Sequence, residues 1–128
     1  MAQASIDFNA PDLAARIEQL EQPDLDDLPF GVVLLDREGT VLFYGATEAK
    51  LSGYGMSPLG KNFFEVGRSP VIGELRNRII DAIESGPVDL EFGWIGDFAD
   101  PDRDLSIRVQ SSRQGGVWLF IDRDKLPG

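Results

Sequence analysis

Three strand-like runs near the C-terminal end, two of them alternating, decide what this chain can fold into. Val88 to Ile95 sets Val88, Leu90, Phe92 and Trp94 or Ile95 against Asp89, Glu91 and Gly93. Leu105, Ile107 and Val109 alternate with Ser106, Arg108 and Gln110, and Gln114-Gly115-Gly116 then turns the chain into VWLFI at 117–121. A period of two marks strands with one apolar face. Connections this short cannot make the crossover that a parallel pair requires, so the three strands run antiparallel. The chain is α+β, and a doubly wound nucleotide-binding fold is excluded.

The earlier residues supply two more strands and the helices. Phe30 to Asp36 is an apolar, β-branched run, Arg37-Glu38-Gly39 is a three-residue hairpin loop with glycine where φ > 0 is wanted, and Thr40 to Tyr44 returns. Gly45 to Gly53 reads as a short helix with a glycine stop. Ser69-Pro70 caps and opens a second helix, whose face is Ile72, Leu75, Ile79 and Ile83 and whose stop is Gly86-Pro87. Ahead of all this lies an acidic arm. Pro11 opens a helix there, with Asn9 or Asp12 near its cap. Leu13, Ile17 and Leu20 form a narrow stripe, Glu18 and Glu21 are expected in solvent, and Pro23 ends the helix before one further acidic turn over 24–28. So short a helix is marginal in water and must pack on something. The expected division is an arm at 1–28, one domain at 29–124 and a tail at 125–128.

Composition closes several doors. The chain has no cysteine and no histidine, which excludes disulfides, thiolate catalysis, Cys/His zinc sites, histidine-ligated haem and Ser–His–Asp triads. A formal charge of −10 repels phosphate backbones and anionic lipid, so neither nucleic acid nor a membrane surface is an expected partner. No run approaches the roughly 18 apolar residues of a membrane span, and no signal-peptide pattern opens the chain. A cytoplasmic location is expected.

The order and spacing of elements resemble a PAS domain, a five-stranded antiparallel sheet with helices on one face, here with an N-terminal helical arm. More narrowly, the chain resembles the photoactive yellow protein family. The matching residues are Leu28-Pro29-Phe30-Gly31, Leu35-Asp36 with Gly39, Tyr44-x-Ala46-x-Glu48, Gly53, Gly60-Lys61-Asn62-Phe63-Phe64, Ser85-Gly86 and Trp118-x-Phe120. That family binds a coumaroyl chromophore through a cysteine thioester and buries its phenolate against a tyrosine, a glutamic acid, a threonine and an arginine. The resemblance places Tyr44 and Glu48 at the first two of these. Ser52 stands for the threonine, and Tyr54 departs from the arginine. The attachment position falls on Ser69 or Pro70, depending on one deletion, and neither forms a thioester. No covalent chromophore is expected.

Each candidate has a plainer alternative. Tyr44 and Glu48 are a hydrogen-bonding pair at a cavity, where burial would raise a carboxyl pKa and let it donate to an anionic ligand; otherwise they are a strand aromatic and a solvated helix residue. Phe63, Phe64 and Trp94, with Trp118 and Phe120, line a cavity or simply fill the core. Ser69 has no histidine to activate it and reads as a helix cap. Lys61 and Arg68 bind an anion or are solvated. The acids of the Gly96–Asp104 loop lack the glycine and terminal glutamate of a calcium loop, so no metal site is expected.

The resulting expectation is a stand-alone sensory or regulatory module without catalytic residues. Its signal comes from a small aromatic or acidic ligand held non-covalently, or from a partner. That partner is a second copy or a separate signalling protein, docked on Leu13, Ile17 and Leu20. The alternatives are a pure interaction domain with a filled pocket and, third, a small isomerase-type enzyme.

Overall fold

A computed structural model describes residues 8–52, 58–66, 72–95, 104–113 and 115–123. In chain order the elements are α1 (Leu13–Ile17), α2 (Gln22–Asp26), β1 (Gly31–Leu35), β2 (Val41–Tyr44), α3 (Ala46–Ser52), α4 (Phe63–Val66), α5 (Ile72–Glu84), β3 (Asp89–Ile95), β4 (Asp104–Ser111) and β5 (Val117–Arg123). The five strands form one sheet in the order β2-β1-β5-β4-β3, antiparallel at every neighbouring pair. The period-two pattern and the short turns therefore led to the sheet that formed.

Turn chemistry sets the connections. The Asp36 carboxylate accepts from the backbone N–H groups of Glu38 and Thr40, each at 2.9 Å, and Gly39 takes φ +95°. A side-chain acceptor at the first turn position and glycine where the backbone turns left-handed are what a tight β1–β2 hairpin needs. At the β4–β5 turn Gly116 serves space instead. A Cβ there would stand 2.8 Å from Asp36 Cα, so only glycine lets the turn close against β1.

The sheet is covered on both faces. On one, Val33, Leu35, Ile107, Val109, Leu119 and Ile121 pack with Leu75, Ile79 and Ile83 of α5 and with Phe63 and Phe64 of α4. On the other, Val32, Trp118 and Phe120 pack with Phe8, Leu13, Ala14, Ile17, Leu25, Leu28 and Phe30 from the arm and its junction with β1. Leu13 and Ile17 are 0% exposed, and Leu20 is partly buried beside them. This corrects the expectation that the Leu13, Ile17 and Leu20 stripe faces a partner. A five-residue helix cannot hold an apolar stripe in water, and the chain's own sheet is the nearest apolar surface.

The polar side of β4 is also covered by the arm. Arg108 and Gln110 alternate with apolar residues as a solvent face would, yet both are buried, Arg108 at 6% exposure. One Arg108 Nη donates to the carbonyls of Phe8 (2.6 Å) and Ala10 (2.7 Å). Gln110 accepts from the N–H of Ala14 at 2.7 Å and donates to Asp89 at 3.1 Å. Glu18, expected in solvent, accepts from the Trp118 indole and from the Arg113 N–H, both at 2.9 Å. Backbone groups that a short arm cannot pair internally are thus satisfied by the sheet.

Candidate functional site

Glu48 sits in the first turn of α3, four residues after the end of β2 at Tyr44. The helix starts here because Asp26 of α2 accepts from the Ala46 N–H at 2.9 Å. Thr47 anchors it further, donating to the Leu28 carbonyl at 2.6 Å. These ties turn Glu48 inward, where it is 3% exposed. The room comes from Gly31. A Cβ on that residue would lie 2.9 Å from Glu48 Cδ and 3.2 Å from its Cβ, so the carboxyl rests directly on the start of β1. Tyr44 pairs in register with Val33, is half-buried and packs against the helix-covered core. Gly31 and Val33 project from the same face of β1, about 7 Å apart at two residues of a strand. The β1 residue under Glu48 and the β1 residue paired with Tyr44 are therefore two positions apart on one face of the strand. At 3% exposure Glu48 is not a solvated helix residue.

Gly60-Lys61-Asn62-Phe63-Phe64 has a structural explanation. Gly60 takes φ +80°, and its N–H and the Lys61 carbonyl clasp the Val41 backbone at 2.9 Å each. Asn62 reaches the Glu38 carbonyl at 2.9 Å with its amide and accepts the Phe64 N–H at 3.0 Å, capping α4. Phe63 and Phe64 meet edge to face, with ring centroids 5.6 Å apart, and the Phe64 ring rests on Gly39. Both are core residues, and Lys61 is exposed.

The remaining candidates divide. Trp94 packs on the same core layer but stands on β3, with β1, β5 and β4 between its strand and that of Tyr44. It closes the far edge of the layer with Phe92, at a centroid distance of 6.4 Å, and the structure does not bring it to Tyr44. Trp118 and Phe120 belong to the arm-covered face. The Ser52 side chain, Tyr54, Arg68, Ser69 and all of the Gly96–Asp104 loop except Asp104 lie outside the described residues. Among the described residues, no group of three acids could hold a metal ion, and no helix is long and apolar enough to cross a membrane. A cleft of about 320 Å³, lined by Arg37, Glu84, Gly86, Val88 and Ser111 among others, opens at the other end of β1 from Glu48.

Sequence reasoning missed Gly31 as a member of the site. The signal was present as a glycine opening an apolar, β-branched strand, a place where another group approaches the backbone closely.

No family model matches the chain. Among characterised proteins it is 30% identical over 121 residues to the photoactive yellow protein of Cereibacter sphaeroides, covering 92% of this chain and 97% of the relative. It is 28% identical over 123 residues to that of Rhodothalassium salexigens, with the same coverage. Among solved structures it resembles the photoactive yellow protein domain of the sensor histidine kinase Ppr from Rhodospirillum centenum. The TM-score is 0.66 at 28% identity, covering 84% of this chain and 96% of that one. The PAS domain of the Cronobacter turicensis RpfR quorum-sensing receptor, solved in complex with BDSF, shares the fold at a TM-score of 0.59 and 18% identity, covering 79% and 97%.

Proposed function

The chain belongs to the photoactive yellow protein family of PAS sensory domains, and from that premise we propose that it senses a small ligand held without a covalent bond beside Tyr44 and Glu48. The family's thioester chemistry does not fit these residues. The sequence contains no cysteine, and a serine hydroxyl lacks the nucleophilicity of a thiolate. A covalently attached coumaroyl group is not part of this reading.

The observation that carries the proposal is the buried Glu48 carboxyl. Taking an acid out of water costs free energy that an apolar side chain at the same place would avoid. Here glycine at position 31 and the ties of α3 to Asp26 and Leu28 hold it inside, and Tyr44 lies four residues before it at the end of β2. Such a pair offers a donor and an acceptor to a phenol, carboxylate or carbonyl, the groups an aromatic or short organic acid presents. The fold can carry a small molecule, as the RpfR domain does with BDSF. A module of this kind needs no catalytic residue, and its output passes to a separate signalling protein.

Titrating the purified protein with phenolic and short carboxylic acids, followed by tryptophan fluorescence, tests the site. Glu48→Gln and Tyr44→Phe are each expected to weaken binding about tenfold, the worth of one hydrogen bond of about 1.4 kcal/mol. Unchanged affinity in both variants, or no saturable binding across the series, would refute the reading.

A further inference from the structure

The two edges of the sheet differ. On the β2 side, Val41 is clasped by Gly60 and Lys61, Thr40 bridges to Asn62, and the β1 pairing slips between Leu34 and Leu35. Strand β3 is seven residues long and in unbroken register with β4 from Asp89 to Ile95. Among the described residues, nothing pairs with its outer side. Such an edge is a template for another strand.

The ladder fixes which groups point outward. The Ser111 N–H donates to the Val88 carbonyl at 3.1 Å, and Leu90, Phe92 and Trp94 follow opposite Val109, Ile107 and Leu105. By the alternation of an antiparallel ladder, residues 88, 90, 92 and 94 turn their backbone groups to β4, and Asp89, Glu91, Gly93 and Ile95 turn theirs outward. An added antiparallel copy of β3 must therefore pair odd residues with odd. Centring the two-fold on Glu91 sets that carboxylate directly against its own copy, which is unfavourable. Centring it on Gly93 leaves Asp89 and Leu90 without partners inside the strand. Centring it on Phe92 pairs all seven residues, Asp89 with Ile95 and Glu91 with Gly93. The two Glu91 side chains then stand only diagonally.

The side chains favour the same axis. Leu90, Phe92 and Trp94 form a half-buried apolar row at the open margin of the core, with Arg78 lying 4.7 Å over the Phe92 ring. In this register the row meets itself in reverse, Leu90 on Trp94 and Phe92 on Phe92, and the core layer continues across the axis. We infer that β3 is a homodimerisation edge, at which a second copy of this chain adds in antiparallel register about Phe92 to make one continuous ten-stranded sheet. This replaces the arm stripe as the face for a second copy, and it does not depend on ligand binding at Glu48. Each copy carries a charge of −10, so salt, which screens the repulsion, tightens the association.

The absence of cysteine makes the test clean, since one introduced thiol reports one position. Sedimentation of the full chain is expected to show a species of twice 14.1 kDa that grows with protein and salt concentration. Under mild oxidation Phe92→Cys is expected to cross-link to itself, because Cβ atoms directly opposite in such a pair lie about 4.5–5.5 Å apart. Glu91→Cys is expected to stay uncross-linked. Glu91→Pro removes an outward N–H and is expected to return the protein to monomer, which keeps the proposal testable if Phe92→Cys does not fold. A monomer at every concentration, or cross-linking through position 91 and not 92, would overturn it.

Discussion

Arg108→Met is expected to destabilise the protein by about 2–4 kcal/mol, the cost of leaving two carbonyls without a charged donor in a largely buried place. Methionine keeps most of the stem and removes only the guanidinium, so packing loss is small. The carbonyls at stake belong to Phe8 and Ala10, which lie 100 and 98 residues from Arg108 in sequence. The loss should therefore fall on arm docking before it falls on the sheet. Trypsin gives a local readout. Arg16 is exposed on α1 and is the sole basic residue before Arg37. At a local cost of about 2.8 kcal/mol, cleavage after Arg16 rises about a hundredfold where cutting follows the open population. A rate equal to wild type would show that Arg108 does not hold the arm in place.

The second large effect concerns the site itself. Gly31→Ala places a methyl against the Glu48 carboxyl, at 2.9 Å from Cδ and 3.2 Å from Cβ. Either β1 shifts or Glu48 leaves its position, and overpacking of this kind costs about 1–3 kcal/mol. Adding Glu48→Ala should restore much of that loss, because the methyl then enters the space the carboxyl vacates. The coupling between the two substitutions, read from urea unfolding of all four proteins, is expected at about 1–2 kcal/mol. Simple additivity would mean that the two residues do not share that space. Gly31→Ala is also expected to abolish ligand binding where Glu48→Gln only weakens it.

These two residues show what the sequence disclosed and what it hid. Alternation in 88–95 and 105–109, the Asp36 to Gly39 turn and the Ile72 to Ile83 face led directly to strands, hairpin and helix, because those signals are local. Arg108 and Gln110 carry the same alternation, and their residue type alone gives no sign of burial. Their burial depends on carbonyls and an N–H from Phe8 to Ala14, some hundred residues away, and no local pattern encodes that. The stripe of Leu13 and Ile17 was legible as apolar, but its partner was not. Glu48 became a candidate through resemblance alone, since an acid in a first helical turn normally faces water. Its inward turn follows from Asp26, Thr47 and Gly31, three residues whose relation appears only in the fold.

The central claim is that a family defined by a covalent chromophore is represented here by a domain whose ligand is held without a covalent bond. Mass spectrometry of the protein as isolated, under native and then denaturing conditions and with the absorption spectrum recorded in both, tests it most directly. Any added mass seen in the native spectrum is expected to be lost on denaturation, with no visible band surviving it. An adduct or a visible band that persists in the unfolded chain would contradict the account.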